Sequence, residues 1–415
     1  MEIFGSSGTR GVVNETLTVE FAARVAAAAG SVWDAGEVAL ARDTRHTGRM
    51  LADAVAAGLA SSGLKLVGAD GVELTVEDLE RIEGAIDDGV TGAVQWDETG
   101  TSRRVEIVRE AYVEEVVGGV DRERIAGADL TVALDPGHGA GGLTSPEIFR
   151  RLGCDVVTVN AQPDGHFPGR DPEPVAGNLD DLGRLVRASD ADVGIAHDGD
   201  ADRAIFFDER GAFVEGDAAL AVLAAEELTA GDAVVSAVNV SQRLVDVAEA
   251  VGADLHLTPI GSTSLITRIE ALRAAGESVP IAGEGNGGVF FPPYRLCRDG
   301  AYTAARLLEL LVERPLSGVT EPYDDYYNVR KNVAYDGDGE WAAMRAAIED
   351  RADDADAEVT TVDGHRLDYG DAWVLARESG TEPVFRVYAE SADPDRAGEL
   401  ARGMAETIRA ARDRP

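Results

Sequence analysis

Three carboxylates alternate in Asp198-Gly199-Asp200-Ala201-Asp202, and Arg203 follows directly. Oxygen ligands of this kind suit a hard cation such as Mg²⁺, which keeps part of its shell for water and substrate phosphate. The apolar runs Val193-Gly194-Ile195-Ala196 and Ala204-Ile205-Phe206-Phe207 on either side read as buried strands, so the acids lie on a tight inter-strand loop. An EF-hand loop shares the alternation, and Glu209 even falls at its closing position. However, Arg203 stands where the turn glycine is needed, and strands rather than helices flank the loop, so that reading is rejected.

A second constellation is Arg377-Glu378-Ser379-Gly380-Thr381-Glu382-Pro383, with Arg386 beyond it. Hydroxyls around a glycine, bracketed by two arginines, make a phosphate clamp. Gly283-Glu284-Gly285-Asn286-Gly287-Gly288 offers a carboxylate and an amide to sugar hydroxyls, and reads equally as a simple turn. Phe4-Gly5-Ser6-Ser7-Gly8-Thr9-Arg10-Gly11 could bring backbone amides and Arg10 to an anion, or be a plain N-terminal turn.

These loops need a scaffold that alternates strands and helices. Val38–Ala41 leads through Arg42-Asp43-Thr44-Arg45 to a helix from about Arg49. Thr131–Leu134 leads through Asp135–Gly141 to a helix capped by Ser145, with Pro146 at its first position. Ala233–Ser236 leads through Val238–Ser241 to a helix from about Gln242. Three such units predict three similar mixed α/β domains, over 1–122, 123–230 and 231–320. The last segment, 321–415, predicts an α+β domain: strand Tyr327–Val333, helix Trp341–Ile348, strands Glu358–Val362, Ala372–Leu375 and Phe385–Ala389, and a helix from about Arg396.

The chain has 415 residues and a formal charge of -38, with acids spread throughout. Only Lys65 and Lys331 are lysines; the other 36 basic residues are arginine. A dispersed acidic excess almost without lysine resembles the surface of a protein from a halophilic, high-salt cytoplasm. Its field repels nucleic acid and anionic membranes, so neither is an expected partner. Cys154 and Cys297 form no disulfide framework and no metal spacing. No signal peptide or spanning run is read, and a cytoplasmic location is expected.

Taken together, the loops resemble the α-D-phosphohexomutase family: phosphoglucomutase, phosphomannomutase and phosphoglucosamine mutase. Further matches are Asp164-Gly165-His166-Phe167-Pro168-Gly169-Arg170-Asp171-Pro172-Glu173-Pro174, Thr258-Pro259-Ile260-Gly261 and Arg298-Asp299-Gly300. The resemblance implies four domains around a central cleft. It implies Mg²⁺ on Asp198, Asp200 and Asp202 with Arg203 beside them, and sugar contacts from Glu284 and Asn286. Arg377, Ser379, Gly380, Thr381 and Arg386 would hold the substrate phosphate, with Arg10 and Lys65 assisting proton transfer. The implied reaction interconverts hexose or hexosamine 1-phosphates and 6-phosphates. A phosphoserine donates its phosphoryl group, and the bound hexose 1,6-bisphosphate then returns the other.

That serine is missing. The family carries it in a Thr-Ala-Ser-His-Asn-Pro-like loop, and no Ser-His pair occurs in this sequence. Helix Leu51–Ala60 passes through Ser61-Ser62 directly into Gly63-Leu64-Lys65-Leu66, which resembles the family sequence just after that loop. Strand and connection lengths put the loss at roughly 30 residues. Ser61 and Ser62 have no neighbouring base to activate them. Two readings follow: a phosphohexomutase of impaired activity, and a non-catalytic phosphosugar-binding paralogue. A first-domain sheet short of interior strands is expected, leaving Phe21, Val25 and Leu51 poorly covered.

Overall fold

The structure, a computed structural model, describes residues 3–4, 9, 15–33, 38–56, 66–68, 71–89, 105–379 and 382–413. The chain has a multi-domain α/β fold. It divides into two compact bodies, Met1–Leu223 with Asn286–Glu321, and Ala224–Gly285 with Pro322–Pro415.

The first body opens with α1 (Val19–Trp33), α2 (Thr47–Ala56) and α3 (Val76–Asp87). Thr18 starts α1 by accepting from the Phe21 amide at 3.1 Å, and Thr75 starts α3 by accepting from the Asp78 amide at 3.3 Å. The expected strand Val38–Ala41 does not form, and no strand ladder occurs among the described residues of this segment. No partner strand for it occurs among the described residues, and Val38 and Leu40 are exposed. The expectation for the helix faces is corrected too. Val25 and Leu51 are fully buried, with Ala28, Ala29, Ile82 and Ile86 around them; Phe21 is partly buried at the edge of this cluster. Helices packing on helices cover the faces that a sheet would have covered. Ser61, Ser62, Arg10 and Lys65 lie outside the described residues.

After α4 (Val108–Gly118) and the short α5 (Arg122–Ala126), a five-stranded sheet begins. It comprises β1 (Thr131–Asp135), β2 (Asp155–Thr158), β3 (Val193–Ala196), β4 (Ile205–Phe207) and β5 (Phe213–Val214), in the order β2-β1-β3-β4-β5. The first three strands are parallel; β4 and β5 fold back antiparallel. Crossovers α6 (Ser145–Arg151) and α7 (Asp180–Ser189) return the chain. α6 starts at Ser145 itself, with Thr144 in the cap position, one residue earlier than expected.

Helix α8 (Gly216–Glu227) leads into the second body's parallel triplet. Strand β6 (Ala233–Ala237) pairs with β7 (Asp254–Thr258) on one side and β8 (Ala282–Gly283) on the other, with α9 (Gln242–Val251) and α10 (Ser262–Ala274) as crossovers. The segment 286–321, in the first body, forms the hairpin β9 (Val289–Phe291) and β10 (Arg295–Arg298), then α11 (Gly300–Leu311) and α12 (Leu316–Thr320).

The remaining segment of the second body is an antiparallel sheet of order β11-β15-β14-β13-β12. Its strands are β11 (Tyr327–Ala334), β12 (Glu358–Thr360), β13 (His365–Asp368), β14 (Ala372–Glu378) and β15 (Val384–Ser391). Helices α13 (Asp338–Asp353) and α14 (Pro394–Arg412) bury Met344, Ile348, Leu400, Met404 and Ile408 against Leu367, Val374 and Val387. Strand β13 was not expected from its residues, because it carries a single large apolar side chain, Leu367. Its Arg366 is buried instead, donating to the carbonyls of Val238 and Val240 with its guanidinium 4.1 Å over the Trp373 ring. No helix among the described residues is long and apolar enough to cross a membrane.

Candidate functional site

Ligands of open α/β sheets gather at the carboxyl ends of the parallel strands. Several of the sequence loops with chemical character leave such ends, whereas the loop between Arg377 and Arg386 joins two antiparallel strands. Asp135–Gly141 follows β1, Asp164–Pro174 follows β2 and Asp198–Arg203 follows β3. In the second body Thr258–Gly261 follows β7 and Glu284 follows β8.

The acidic loop is the tightest of these. Asp198, Asp200 and Asp202 bring one carboxylate oxygen each to within 4.8 Å of one another. Burial pushes the Asp198 carboxyl up to about 7, Asp202 adds to the rise, and Arg203 opposes it. Arg203 Nε lies 2.7 Å from Asp198 Oδ2, and its Nη1 lies 2.7 Å from Glu173. Burial disfavours that guanidinium, but Asp198 and Glu173 outweigh it and raise its pKa. Arg298 reaches Asp202 at 2.5 Å. Two further carboxylates beside the buried Asp198 create a strong demand for positive charge, which these two arginines meet in part. An all-oxygen set of this kind fits Mg²⁺.

The backbone holds the loop from below. Ala140 N donates to Gly199 O at 3.0 Å, Ala204 N to Gly287 O at 3.0 Å and Gly300 N to Ala201 O at 3.1 Å. Gly300 must be glycine: a Cβ there would lie 2.3 Å from the Arg203 carbonyl. Ala201 sits in the left-handed region at φ 64°, at a cost of about 1 kcal/mol for a residue with a Cβ. Beneath the loop, His197 is fully buried; burial pushes its pKa down to about 4, so the ring is neutral. Its Nδ1 lies 2.8 Å from the Arg203 carbonyl, an acceptor, which places the proton on Nδ1. Next to it, Arg170 and Asp135 form a buried pair at 3.0 Å, and Arg170 also donates to the His197 carbonyl at 2.5 Å. Sequence reasoning reached Asp135 and Arg170 only as parts of motifs; their pairing across 35 positions had no local signal.

A metal ion held by Asp198 would compete with a proton there. Below about 7 that carboxyl is neutral, so Mg²⁺ affinity is expected to fall as pH drops, by about tenfold from pH 8 to pH 6. Calorimetric titration at the two pH values checks this. Equal affinities would show that the ion does not bind through Asp198.

Asn286 turns inward on its own loop, accepting from the Gly288 amide at 2.9 Å. Glu284, in the second body, is buried and accepts from the Gly261 amide at 3.1 Å.

The second body also carries the clamp. Arg377 on β14 and Arg386 on β15 are directly opposed in the ladder. Like charges facing across a strand pair repel. Each is matched by an acid: Arg377 Nε lies 2.9 Å from Asp363 Oδ2, and Arg386 Nη2 donates to Glu382 at 2.8 Å. Asp363 Oδ2 also accepts from the Ile260 amide at 3.1 Å, tying the loop after β7 to Arg377. Ser379 is buried, its amide donating to Val384 O at 2.9 Å. Gly380 and Thr381 lie outside the described residues. Glu390, which sequence reasoning missed, is fully buried; it accepts from the Gln242 amide at 2.7 Å and from Trp373 Nε1 at 3.2 Å.

Comparison with known proteins gives a consistent result. Four phosphoglucomutase/phosphomannomutase families match the chain: alpha/beta/alpha domain I over 1–76, domain II over 110–211, domain III over 215–329 and the C-terminal domain over 331–407. A phosphoglucomutase/phosphomannomutase of Thermococcus kodakarensis is 34% identical over 447 aligned positions, covering 96% of each chain. A probable phosphoglucosamine mutase of Methanopyrus kandleri is 34% identical over 450, covering 98% of this chain and 97% of its own. The crystal structure of a phosphoglucomutase/phosphomannomutase family protein from Burkholderia thailandensis superposes with a TM-score of 0.81 at 25% identity, covering 99% of this chain and 98% of that one.

Proposed function

The chain belongs to the phosphoglucomutase/phosphomannomutase family, and on that premise we propose that it binds hexose or hexosamine phosphates with Mg²⁺ while lacking the nucleophile that would turn them over efficiently. The family reaction exchanges 1- and 6-phosphates through a bisphosphate. One observation carries the proposal: the acidic cluster Asp198, Asp200 and Asp202 is assembled, while the sequence holds no Ser-His pair. The alignment to the Thermococcus kodakarensis relative supports an internal loss. It spans 447 positions against 415 residues, so at least 32 of those positions have no residue of this chain opposite them.

The four segments 1–122, 123–230, 231–320 and 321–415 act in this reading as four domains, each supplying one loop. Asp198, Asp200 and Asp202 hold the ion, with Arg203 setting the orientation of Asp198. When bound, Mg²⁺ offsets charge on a transferring phosphoryl group. Arg377, Ser379, Gly380, Thr381 and Arg386 hold the other phosphate, and Glu284 and Asn286 meet the sugar hydroxyls. Arg10 and Lys65 assist proton transfer near the phosphoryl group in this reading. The protein is cytoplasmic and halophilic in this reading, from its charge and near absence of lysine.

The opposed arginines make a specific prediction. Losing one arm of a charge-assisted phosphate contact costs about 1.5–3 kcal/mol. Arg386→Ala should therefore weaken phosphosugar binding by at least about tenfold. Superimposable calorimetric titrations of wild type and variant with glucose 1,6-bisphosphate would count against the clamp. The function itself is tested by pairing that titration with a turnover assay on glucosamine, mannose and glucose 1-phosphates. Binding without turnover is the expected result. Rapid turnover would restore the ordinary mutase reading, and absence of binding would remove the phosphosugar one.

A further inference from the structure

The loop between α1 and α2 meets the loop after β2, and three metal-ligand side chains converge there. Thr44 Oγ1 donates to His138 O at 3.2 Å. Gly165 packs so closely that a Cβ would lie 2.3 Å from the Thr44 carbonyl, so only glycine lets the two loops touch. This contact brings together His46 Nε2, His166 Nδ1 and Asp164 Oδ1. The two ring nitrogens are 2.8 Å apart, and Asp164 Oδ1 lies 3.1 Å from His166 and 3.7 Å from His46. Asp164 Oδ1 also accepts from the His166 amide at 3.0 Å, which fixes the carboxylate in place.

Hydrogen bonding alone serves this arrangement poorly. A neutral imidazole has one N–H. If His46 Nε2 donates to His166 Nδ1, then Nδ1 carries no proton and faces Asp164 Oδ1 lone pair to lone pair. If His166 Nδ1 carries the proton, that single N–H is divided between the carboxylate and the His46 lone pair. Neither neutral arrangement gives each contact its own proton.

One ion serves all three. The point equidistant from the three atoms lies about 1.9 Å from each, so an ion about 1 Å out of their plane would sit at the ~2.0–2.2 Å of zinc–imidazole and zinc–carboxylate bonds. The donors are two imidazoles and one carboxylate, a set suited to Zn²⁺ and its transition-metal neighbours rather than to Mg²⁺. Side-chain exposures of 58% for His46, 40% for Asp164 and 74% for His166 leave an entry path and room for water ligands.

We propose that His46, Asp164 and His166 form a divalent transition-metal site of the zinc type, separate from the acidic loop. The ion ties the α1–α2 loop to the loop after β2. It thereby holds the neighbouring Arg45, whose guanidinium borders Gly199 of the acidic loop.

The test is Zn²⁺ and Co²⁺ uptake by the full chain after chelator treatment, in saturating Mg²⁺. Bound metal is read by elemental analysis and by the visible ligand-field band of Co²⁺. One equivalent is expected in wild type and in Asp200→Asn, with loss of that equivalent and its band in His46→Asn and His166→Asn. Zn²⁺ should also raise the Tm of wild type and leave that of His166→Asn unmoved. Equal uptake by wild type and the histidine variants would overturn the proposal by placing the ion elsewhere. No uptake by wild type would overturn it in favour of a histidine–histidine hydrogen bond. Loss of uptake in Asp200→Asn alone would assign the ion to the acidic loop, which also overturns it.

Discussion

Insertion of a Thr-Ala-Ser-His-Asn-Pro segment with its two strands between Ser62 and Gly63 is expected to raise hexose 1-phosphate turnover by at least about a thousandfold. Removing an enzyme's nucleophile can cost up to about 10⁶ in kcat, while binding and electrostatic stabilisation alone keep about 10³–10⁴ over the uncatalysed rate. In this chain the three converging carboxylates and the opposed Arg377 and Arg386 are present while no Ser-His pair is, so under the proposed function restoring the pair should return most of that factor. The same insertion with alanine for serine should restore the scaffold without the rate. Val38 and Leu40, exposed at 42% and 44%, supply a second readout. Restored strands should pair with this segment and slow its amide hydrogen exchange in both insertions. Turnover in the alanine insertion equal to that in the serine insertion would mean that scaffold, not nucleophile, had been lacking.

The second large effect concerns the support beneath the acidic loop. Arg170→Ala is expected to destabilise the chain by about 3–5 kcal/mol, because it strands a fully buried Asp135 carboxylate. The guanidinium has no simple substitute: it meets Asp135 Oδ2 at 3.0 Å and also donates to the carbonyls of Asp171 and His197. Asp135 keeps bonds from the Gly137 amide and Asn160 Nδ2, which lessen the penalty without removing it. Arg184→Ala is the contrast. Its pairs with Asp180 and Asp181 are more than half exposed, and it should cost less than about 1 kcal/mol. Urea unfolding of the three proteins checks both values. An Arg170→Ala midpoint within the range of Arg184→Ala would show that the buried pair is not a structural anchor.

What could be read from sequence depended on how local the signal was. The acidic loop was legible because two apolar runs fixed its ends and alternation set its carboxylates. The same held for β6 and α9, where a buried run, a polar loop and a capping serine follow in order, and for β1, a buried run before a polar loop. Long-range pairs had no such signal. Arg298 meets Asp202 across 96 positions and His46 meets His166 across 120, and neither spacing has a period to detect. Strand β13 was missed for another reason: its outward Arg366 is buried by carbonyls and an aromatic face, so composition gave it the look of a loop. Val38–Ala41 erred in the opposite direction. Its β-propensity was real, but a strand needs a partner, and among the described residues none pairs with it.

In the proposed function a phosphosugar site remains in a chain without its phosphoryl-carrying serine. The most direct measurement is the intact mass of the unaltered chain after incubation with labelled glucose 1,6-bisphosphate and Mg²⁺. The predicted result is an unchanged mass, with no label surviving denaturation, in a protein that binds the same compound by calorimetry. A gain of one phosphate per chain on Ser61 or Ser62, abolished by Ser61→Ala or Ser62→Ala together with turnover, would contradict the account and establish a relocated nucleophile.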